Sequence, residues 1–230
     1  MKGYVITLLN LSESVEIANR CIESGKQFNI DIEIFPAIYK DESFNELKKE
    51  SLFEATIEHE KKMLPGYIRT ESNRGAVMGN FISQYRIWNK ILINNKPGIV
   101  LEHDAVFMAP LPDLTNKGDI INIGKPSYGG FKTKTVPGVY SMFSKPGGYI
   151  PGAHGYYITP KGAKELIDKA KKYGASPCDL FLNKKMFPNI KELWPQVVEA
   201  QDSFTTIQNE VGCKAKHNYK NNTNYKILSD

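Results

Sequence analysis

Glu102, His103 and Asp104 are the residues whose types and spacing point most directly to chemistry. They follow Ile99, Val100 and Leu101, an apolar run after the Pro97-Gly98 turn that reads as the end of a buried strand. Two carboxylates spaced i and i+2 at such an edge are costly to bury without a partner. A divalent cation suits them, because hard oxygen ligands favour Mg or Mn and such an ion neutralises a diphosphate. For an isolated Glu-x-Asp triplet the plainer reading, a strand end whose acids are merely solvated, stays open.

A second stretch carries charge of the opposite sign. From Ile120 to Lys164 there is no Asp or Glu, while six lysines occur, at 125, 132, 134, 145, 161 and 164. Tyr128, Phe131, Tyr140, Phe143 and Tyr149 interleave with them. Lysines that contact phosphate and aromatics that stack on a ring suit an anionic, ring-containing acceptor, so Lys125, Tyr128, Lys132 and Lys134 are candidate acceptor-binding residues. The Gly and Pro content of 125–149 argues for a loop or hairpin rather than a helix. A solvated basic flap is the alternative.

The rest of the chain must position these groups. At 230 residues and 41% hydrophobic composition it has the length of one domain with a substantial core. No apolar run is long enough for a bilayer and the N-terminus lacks a signal peptide's shape, so the cytosol is the expected compartment. Cys21, Cys178 and Cys213 are odd in number and widely spaced, which implies neither a disulfide framework nor a zinc site. A net charge of +5 mildly favours an anionic partner: a nucleotide, a nucleic acid or an anionic glycan.

Residues 3–9 read as a strand. A helix follows, capped by Ser12 or Ser14, with Val15, Ala18 and Ile22 on one face and Gly25 at its end. Residues 30–35 read as the next strand, completing a βαβ unit and predicting a parallel sheet with its ligand at the strand ends. No Gly-rich fingerprint follows the first strand, which counts against an ordinary dinucleotide-binding enzyme. Thr7, Asn10 and Arg74 are candidates for a nucleotide by their place near the switch point. Residues 41–63 read as a charged amphipathic insertion with Phe44, Leu47, Phe53 and Ile57 inward. In the helix predicted over 74–93, Phe81, Tyr85, Trp88 and Leu92 recur with helical spacing, as core more readily than as a stacking platform. Gly75 and Gly79 near its start imply a close approach, because glycine in a helix costs about 1 kcal/mol relative to alanine. Residues 119–123, 152–159 and 193–198 read as strands, and Thr159-Pro160 as the start of a helix ending at Gly174. Asp179 opens a short helix, where a carboxylate is often a cap. From residue 211 on, a basic tail is expected to fray.

Taken together, these stretches resemble glycosyltransferase family 25, the lipooligosaccharide β-galactosyltransferases and collagen galactosyltransferases. The opening strand through Asn10-Leu11 is similar to the family's first strand. Gly75 to Trp88 (GAVMGNFISQYRIW) resembles its Gly-x-x-Gly-x-x-x-Ser-His helix, with Gly75, Gly79 and Ser83 in place. Leu101 to Ala105 (LEHDA) resembles its Leu-Glu-Asp-Asp-Ala. Gly152 to Leu166, Pro177 to Asp179, and Trp194 to Ile207 resemble its later segments. The sequence departs from the pattern at His103, where the family has Asp, and at Gln84, where it usually has His. The family's first-helix Arg is missing, with Arg20 one turn later.

The resemblance implies an α/β, GT-A-like single domain over 1–210, Rossmann-type, with a mostly parallel central sheet flanked by helices. It implies a metal-dependent, inverting glycosyltransferase that uses a nucleotide sugar, expected to be a UDP-sugar, with Mn or Mg. Asp104 is the implied metal ligand with Glu102 beside it, and His154, Gln201 or His217 a third. Asp179 is the implied base. Gly75, Gly79, Ser83, His103 and Gln201 fall among the implied donor-binding positions. The acceptor is expected to be a surface glycan such as lipooligosaccharide. A hydroxymethylated base in DNA, or a catalytically inactive glycan-binding role, are the alternatives.

Overall fold

The computed structural model describes residues 1–69, 71–126, 134–142, 148–150 and 152–200. Strand β1 (Lys2–Thr7), helix α1 (Ser12–Lys26) and strand β2 (Asp31–Pro36) form the expected right-sized βαβ unit, with β1 and β2 parallel in register from Lys2↔Asp31 to Thr7↔Pro36. Helices α2 (Ser43–Lys49) and α3 (Ile57–Met63) precede a 3-10 turn (Glu71–Asn73) and the long helix α4 (Arg74–Asn94). Strands β3 (Gly98–Glu102), β4 (Ala105–Phe107), β5 (Ile120–Asn122), β6 (Gly138–Ser141) and β7 (Gly155–Ile158) follow. Helices α5 (Pro160–Tyr173) and α6 (Cys178–Phe181) and strands β8 (Lys191–Trp194) and β9 (Val198–Ala200) complete the described chain.

The main sheet has the order β2-β1-β3-β7-β5-β8-β6, and β4 pairs with β9 in a separate ribbon. Strands β1, β2, β3, β5 and β8 run one way, and β7 and β6 run against them. The result is an α/β protein with a mostly parallel central sheet flanked by helices.

Alternation along the strands decides which core each residue joins. Tyr4, Ile6, Val100, Ile120, Tyr156 and Ile158 pack with α4, α5 and α6 on one face. Val5, Ile99, Leu101, Ile121 and Tyr157 pack with α1 and the β4–β9 ribbon on the other. Burial on both faces explains why these strands read as continuous apolar runs. Cys21 and Cys178 are free and buried, one in each core.

Several expectations are corrected. The buried stripe of α1 is Ile17, Ala18 and Cys21, with Val15 and Ile22 only half-buried, and neither serine caps its N-terminus; Ser14 turns inward. The insertion over 41–63 is two short helices, in which Leu47 is buried while Phe44, Phe53 and Ile57 are exposed. Residues 193–198 belong to two strands in different sheets, because Pro195 lacks the N–H needed to continue a ladder. Part of the basic segment, 138–141, is an edge strand. Thr159 caps α5 as expected, accepting from the Gly162 N–H, with Pro160 in its first turn.

Candidate functional site

The acidic triplet lies where β3 ends, with β1 parallel beside it. Glu102 is the last residue of β3, His103 and Asp104 form the turn, and β4 begins at Ala105. Separate elements hold this turn. The Asn80 Nδ2 amide of α4 donates to Glu102 Oε1 at 2.8 Å, and the Glu102 N–H donates to the His154 carbonyl at 3.1 Å. Ser14 of α1 accepts from the Leu8 N–H at 3.1 Å and bonds His103 Nδ1 at 2.9 Å, tying the loop after β1 to the turn. His103, standing where a carboxylate was the family pattern, is therefore a strut between α1 and β3.

Electrostatics draw a third acid into the neighbourhood. Burial pushes the Glu102 carboxyl well above the usual range, and the negative charges of Asp104 and Asp179 push it further, while the Asn80 amide favours the ionised form. Burial, then Glu60 and Asp179, raise the Tyr67 phenol to about 12, and burial followed by Asp179 raises Tyr149. The charge of Asp179, on α6, thus acts on Glu102, Tyr67 and Tyr149. Its helix is too short to stand alone and is seated by aromatic packing. The Phe181 ring stacks on Trp88 at 5.8 Å and meets Phe81 edge-on at 5.0 Å. Asp179 Oδ1 accepts from the Leu180 N–H at 2.9 Å.

Helix α4 presents two stripes toward this region. Gly75, Gly79 and Ser83 face residues 37–40, the loop after β2. A Cβ on Gly75 would come within 2.7 Å of the Lys40 carbonyl, and one on Gly79 within 2.5 Å of the Ile38 carbonyl. Ser83 accepts from the Ile38 N–H at 2.9 Å and donates to the Gly79 carbonyl. The close approach these glycines allow is thus by the chain's own backbone. Asn80, Gln84 and Trp88 form the second stripe. Trp88 Nε1–H donates to Tyr156 Oη at 2.6 Å, Tyr156 Oη–H to Gln84 Oε1 at 2.7 Å, and Gln84 Nε2–H to Asn80 Oδ1 at 2.8 Å. Burial pushes the Tyr156 phenol up, so it remains a donor.

Other expected site residues are placed differently. Thr7 is fully buried and its hydroxyl donates to the Val5 carbonyl, inside its own strand. The Asn10 N–H donates to Tyr39 Oη at 2.6 Å, in the exposed loop after β1. Arg74 is paired with Glu54 and Glu71 and lies over the Phe44 ring, holding neighbouring segments to the start of α4. The His154 ring packs against Gly124, where a Cβ would come within 2.8 Å of Nε2. Among the described residues no group of three His, Cys, Asp or Glu could hold a metal ion, so His154 does not complete a three-residue site with Glu102 and Asp104. Lys125 pairs with Glu199 at 3.0 Å, and Lys134 lies 5.0 Å from the Tyr140 ring centre. Ala200 pairs with Ala105, beside Asp104, but Gln201 and His217 lie outside the described residues, as do Tyr128, Lys132 and the tail from 211.

Asn80 and Tyr67 are residues of this region that sequence reasoning passed over, and Ser14 entered it only as a helix cap. Asn80 alone had a usable signal, as a polar residue one turn before Gln84 on the same helix.

The fold and site define an α/β protein with two carboxylates, Glu102 and Asp104, at the carboxyl end of one of its parallel strands, the usual ligand position in such sheets. No family model matches the chain. A glycosyltransferase 25 family member from Aedes aegypti is 26% identical over 191 residues, 77% of this chain and 30% of the relative. Another from Anopheles gambiae is 27% identical over 191 residues, 77% of this chain and 31% of the relative. These relatives bear out the resemblance to glycosyltransferase family 25, and the chain spans about a third of their length. A solved CTP:phosphocholine cytidylyltransferase from Streptococcus pneumoniae aligns over 86% of this chain and 91% of its own, at 14% identity and a TM-score of 0.42.

Proposed function

We propose that the chain is a GT-A-like, inverting glycosyltransferase that moves a sugar from a nucleotide-sugar donor, a UDP-sugar in the simplest case, to an acceptor hydroxyl, with a divalent Mn or Mg ion. The observation that carries this reading is the pair Glu102 and Asp104 at the turn that ends β3, with the charge of Asp179, distant in sequence, acting on Glu102. Glu102 and Asp104 would hold the ion. Their oxygens are of the hard kind it prefers, and its charge would offset the burial and the repulsion that drive Glu102 toward protonation. When bound, the ion supplies electrostatic stabilisation of the leaving diphosphate. His103, through Ser14, and Asn80 keep the turn in place. Asp179 takes the proton from the acceptor hydroxyl, on the face opposite the leaving group. The Leu180 N–H fixes Oδ1 and so orients the carboxylate. Tyr67, half-buried and within reach of the Asp179 charge, offers ring surface and a hydroxyl to an acceptor sugar.

We take the acceptor to be a hydroxyl of a surface glycan such as lipooligosaccharide. Lys125 is paired with Glu199 and Lys134 rests on Tyr140, which speaks for a glycan over the phosphates of hydroxymethylated DNA.

The test is nucleoside diphosphate release from a panel of nucleotide sugars with Mn2+, with each acceptor in turn. The reading predicts release that rises with the glycan. No release from any donor with either acceptor overturns it and leaves an inactive glycan-binding protein. Release with hydroxymethylated duplex moves the acceptor to DNA if Lys132→Ala/Lys134→Ala also makes the log–log salt slope of binding shallower by about one unit per lost phosphate contact.

A further inference from the structure

The hydrogen bonds running from Trp88 to Glu102 have a direction, and the chemistry of their ends dictates it. An indole N–H only donates, so Tyr156 Oη must accept from Trp88 and turn its own O–H elsewhere. That O–H reaches Gln84 Oε1, which obliges the Gln84 amide to present its NH2 on the other side, to Asn80 Oδ1. With Oδ1 so engaged, Asn80 presents its NH2 to Glu102 Oε1. With a divalent ion bound Glu102 is ionised and only accepts, so the far end agrees with the near one. Amide groups are ordinarily free to be read in either orientation. Here the donor-only indole at one end leaves a single arrangement, and a metal-bound carboxylate at the other agrees with it.

The chain is also well insulated. Trp88, Tyr156 and Gln84 are fully buried within the core that α4 shares with the sheet. A buried polar network that is fully satisfied rigidifies its members, and a broken one leaves costly unpaired groups. Trp88 is itself clamped by Phe181 and Phe81, so the anchor does not wander.

We propose that Asn80 is a positioning residue for Glu102, held in one amide orientation by the hydrogen-bond chain that begins at Trp88 and passes through Tyr156 and Gln84. This rests on the assignment of Glu102 and Asp104 to a divalent ion. Gln84 is then a relay of orientation: whatever stands there must accept from Tyr156 and donate to Asn80. A neutral imidazole does both, one nitrogen accepting and the other donating. Methionine, close to glutamine in shape, does neither.

The experiment measures Mn2+ affinity of the full chain with UDP present, by electron paramagnetic resonance of the free ion, alongside circular dichroism and melting temperature. Variants are Gln84→Met, Gln84→His and Asn80→Ala; Asn80 is only half-buried, so its truncation disturbs packing least. The proposal predicts that Gln84→Met and Asn80→Ala weaken Mn2+ about tenfold or more, the usual effect of removing a group that orients a metal ligand, while Gln84→His stays within a few-fold of wild type. A purely structural role for Gln84 predicts the reverse order, because methionine preserves the shape and histidine does not. Affinity that follows shape, or Asn80→Ala binding as tightly as wild type, overturns the positioning role and leaves the metal assignment standing. A wild type that takes up no Mn2+ overturns both. If Gln84→Met does not fold, Asn80→Ala and Gln84→His still decide the matter.

Discussion

The two stripes of α4 are built at the same i, i+4 spacing and do different work. Gly75, Gly79 and Ser83 are small, and their smallness lets the backbone of residues 37–40 lie directly on the helix. That loop is joined to the end of β1 by the Ala37 N–H donating to the Thr7 carbonyl, so the stripe sets the shape of the sheet edge through packing. Asn80, Gln84 and Trp88 are polar or amphipathic, and they reach the sheet through directed hydrogen bonds that end on Glu102. A third group of contacts, Arg86 with Glu46 and Glu50 of the α2 region, sits at the helix surface and holds α2. One helix therefore carries a packing stripe, a chemical stripe and a charged fringe, whose energetic weights should fall in different measurements.

The largest effect is expected where the chemical stripe's aromatic end seats α6. Asp179→Asn removes the proposed base without changing volume, and turnover should fall by about 10²–10⁴-fold while donor affinity and melting temperature hardly move. Steady-state kinetics with a glycan acceptor checks this; near-normal turnover would give the role to another acid.

Breaking the packing stripe should register in stability first. In Gly79→Ala the new Cβ meets the Ile38 carbonyl at 2.5 Å, backbone that cannot rotate away. We expect a loss of about 1–3 kcal/mol, the usual scale for overpacking a close contact, measured by urea unfolding. A neutral result would mean the 37–40 loop shifts without cost, and the stripe would lose its structural meaning.

The smallest effect belongs to the fringe. Arg86 is about one-third exposed, 32%, and its partners are 14% and 28% exposed. Screening limits such pairs, so Arg86→Ala should cost about 1 kcal/mol or less and leave kinetics unchanged. A larger loss in the same unfolding experiment would show that α2 depends on these charges.

How much of this was legible in the sequence follows from range. The βαβ start, the Thr159-Pro160 cap and the strand ending in Glu102 depend on local patterns, and all three are where the residues predicted. The glycines of α4 announced a close approach, but only the fold reveals that the visitor is the 37–40 backbone. The partners of the Asn80–Gln84 pair were hidden for a different reason. Both are polar residues among several in α4, and what they bond, Glu102 and Tyr156, comes from strands far along the chain. His154 and Thr7 carried the right chemistry at the right strand ends, yet the pleat and packing turned the His154 ring onto Gly124 and the Thr7 hydroxyl back to Val5. Residue type and spacing identify candidate groups; which way a side chain faces is settled by neighbours that periodicity does not encode.

The most direct test of the central claim is nucleoside diphosphate release by wild type and by Asp104→Asn, each with Mn2+ and with EDTA. The account predicts release by the wild type with Mn2+, abolished by EDTA, and none from Asp104→Asn, which should fold normally because the change removes a ligand charge and little volume. Full turnover in EDTA, or in Asp104→Asn, would contradict it.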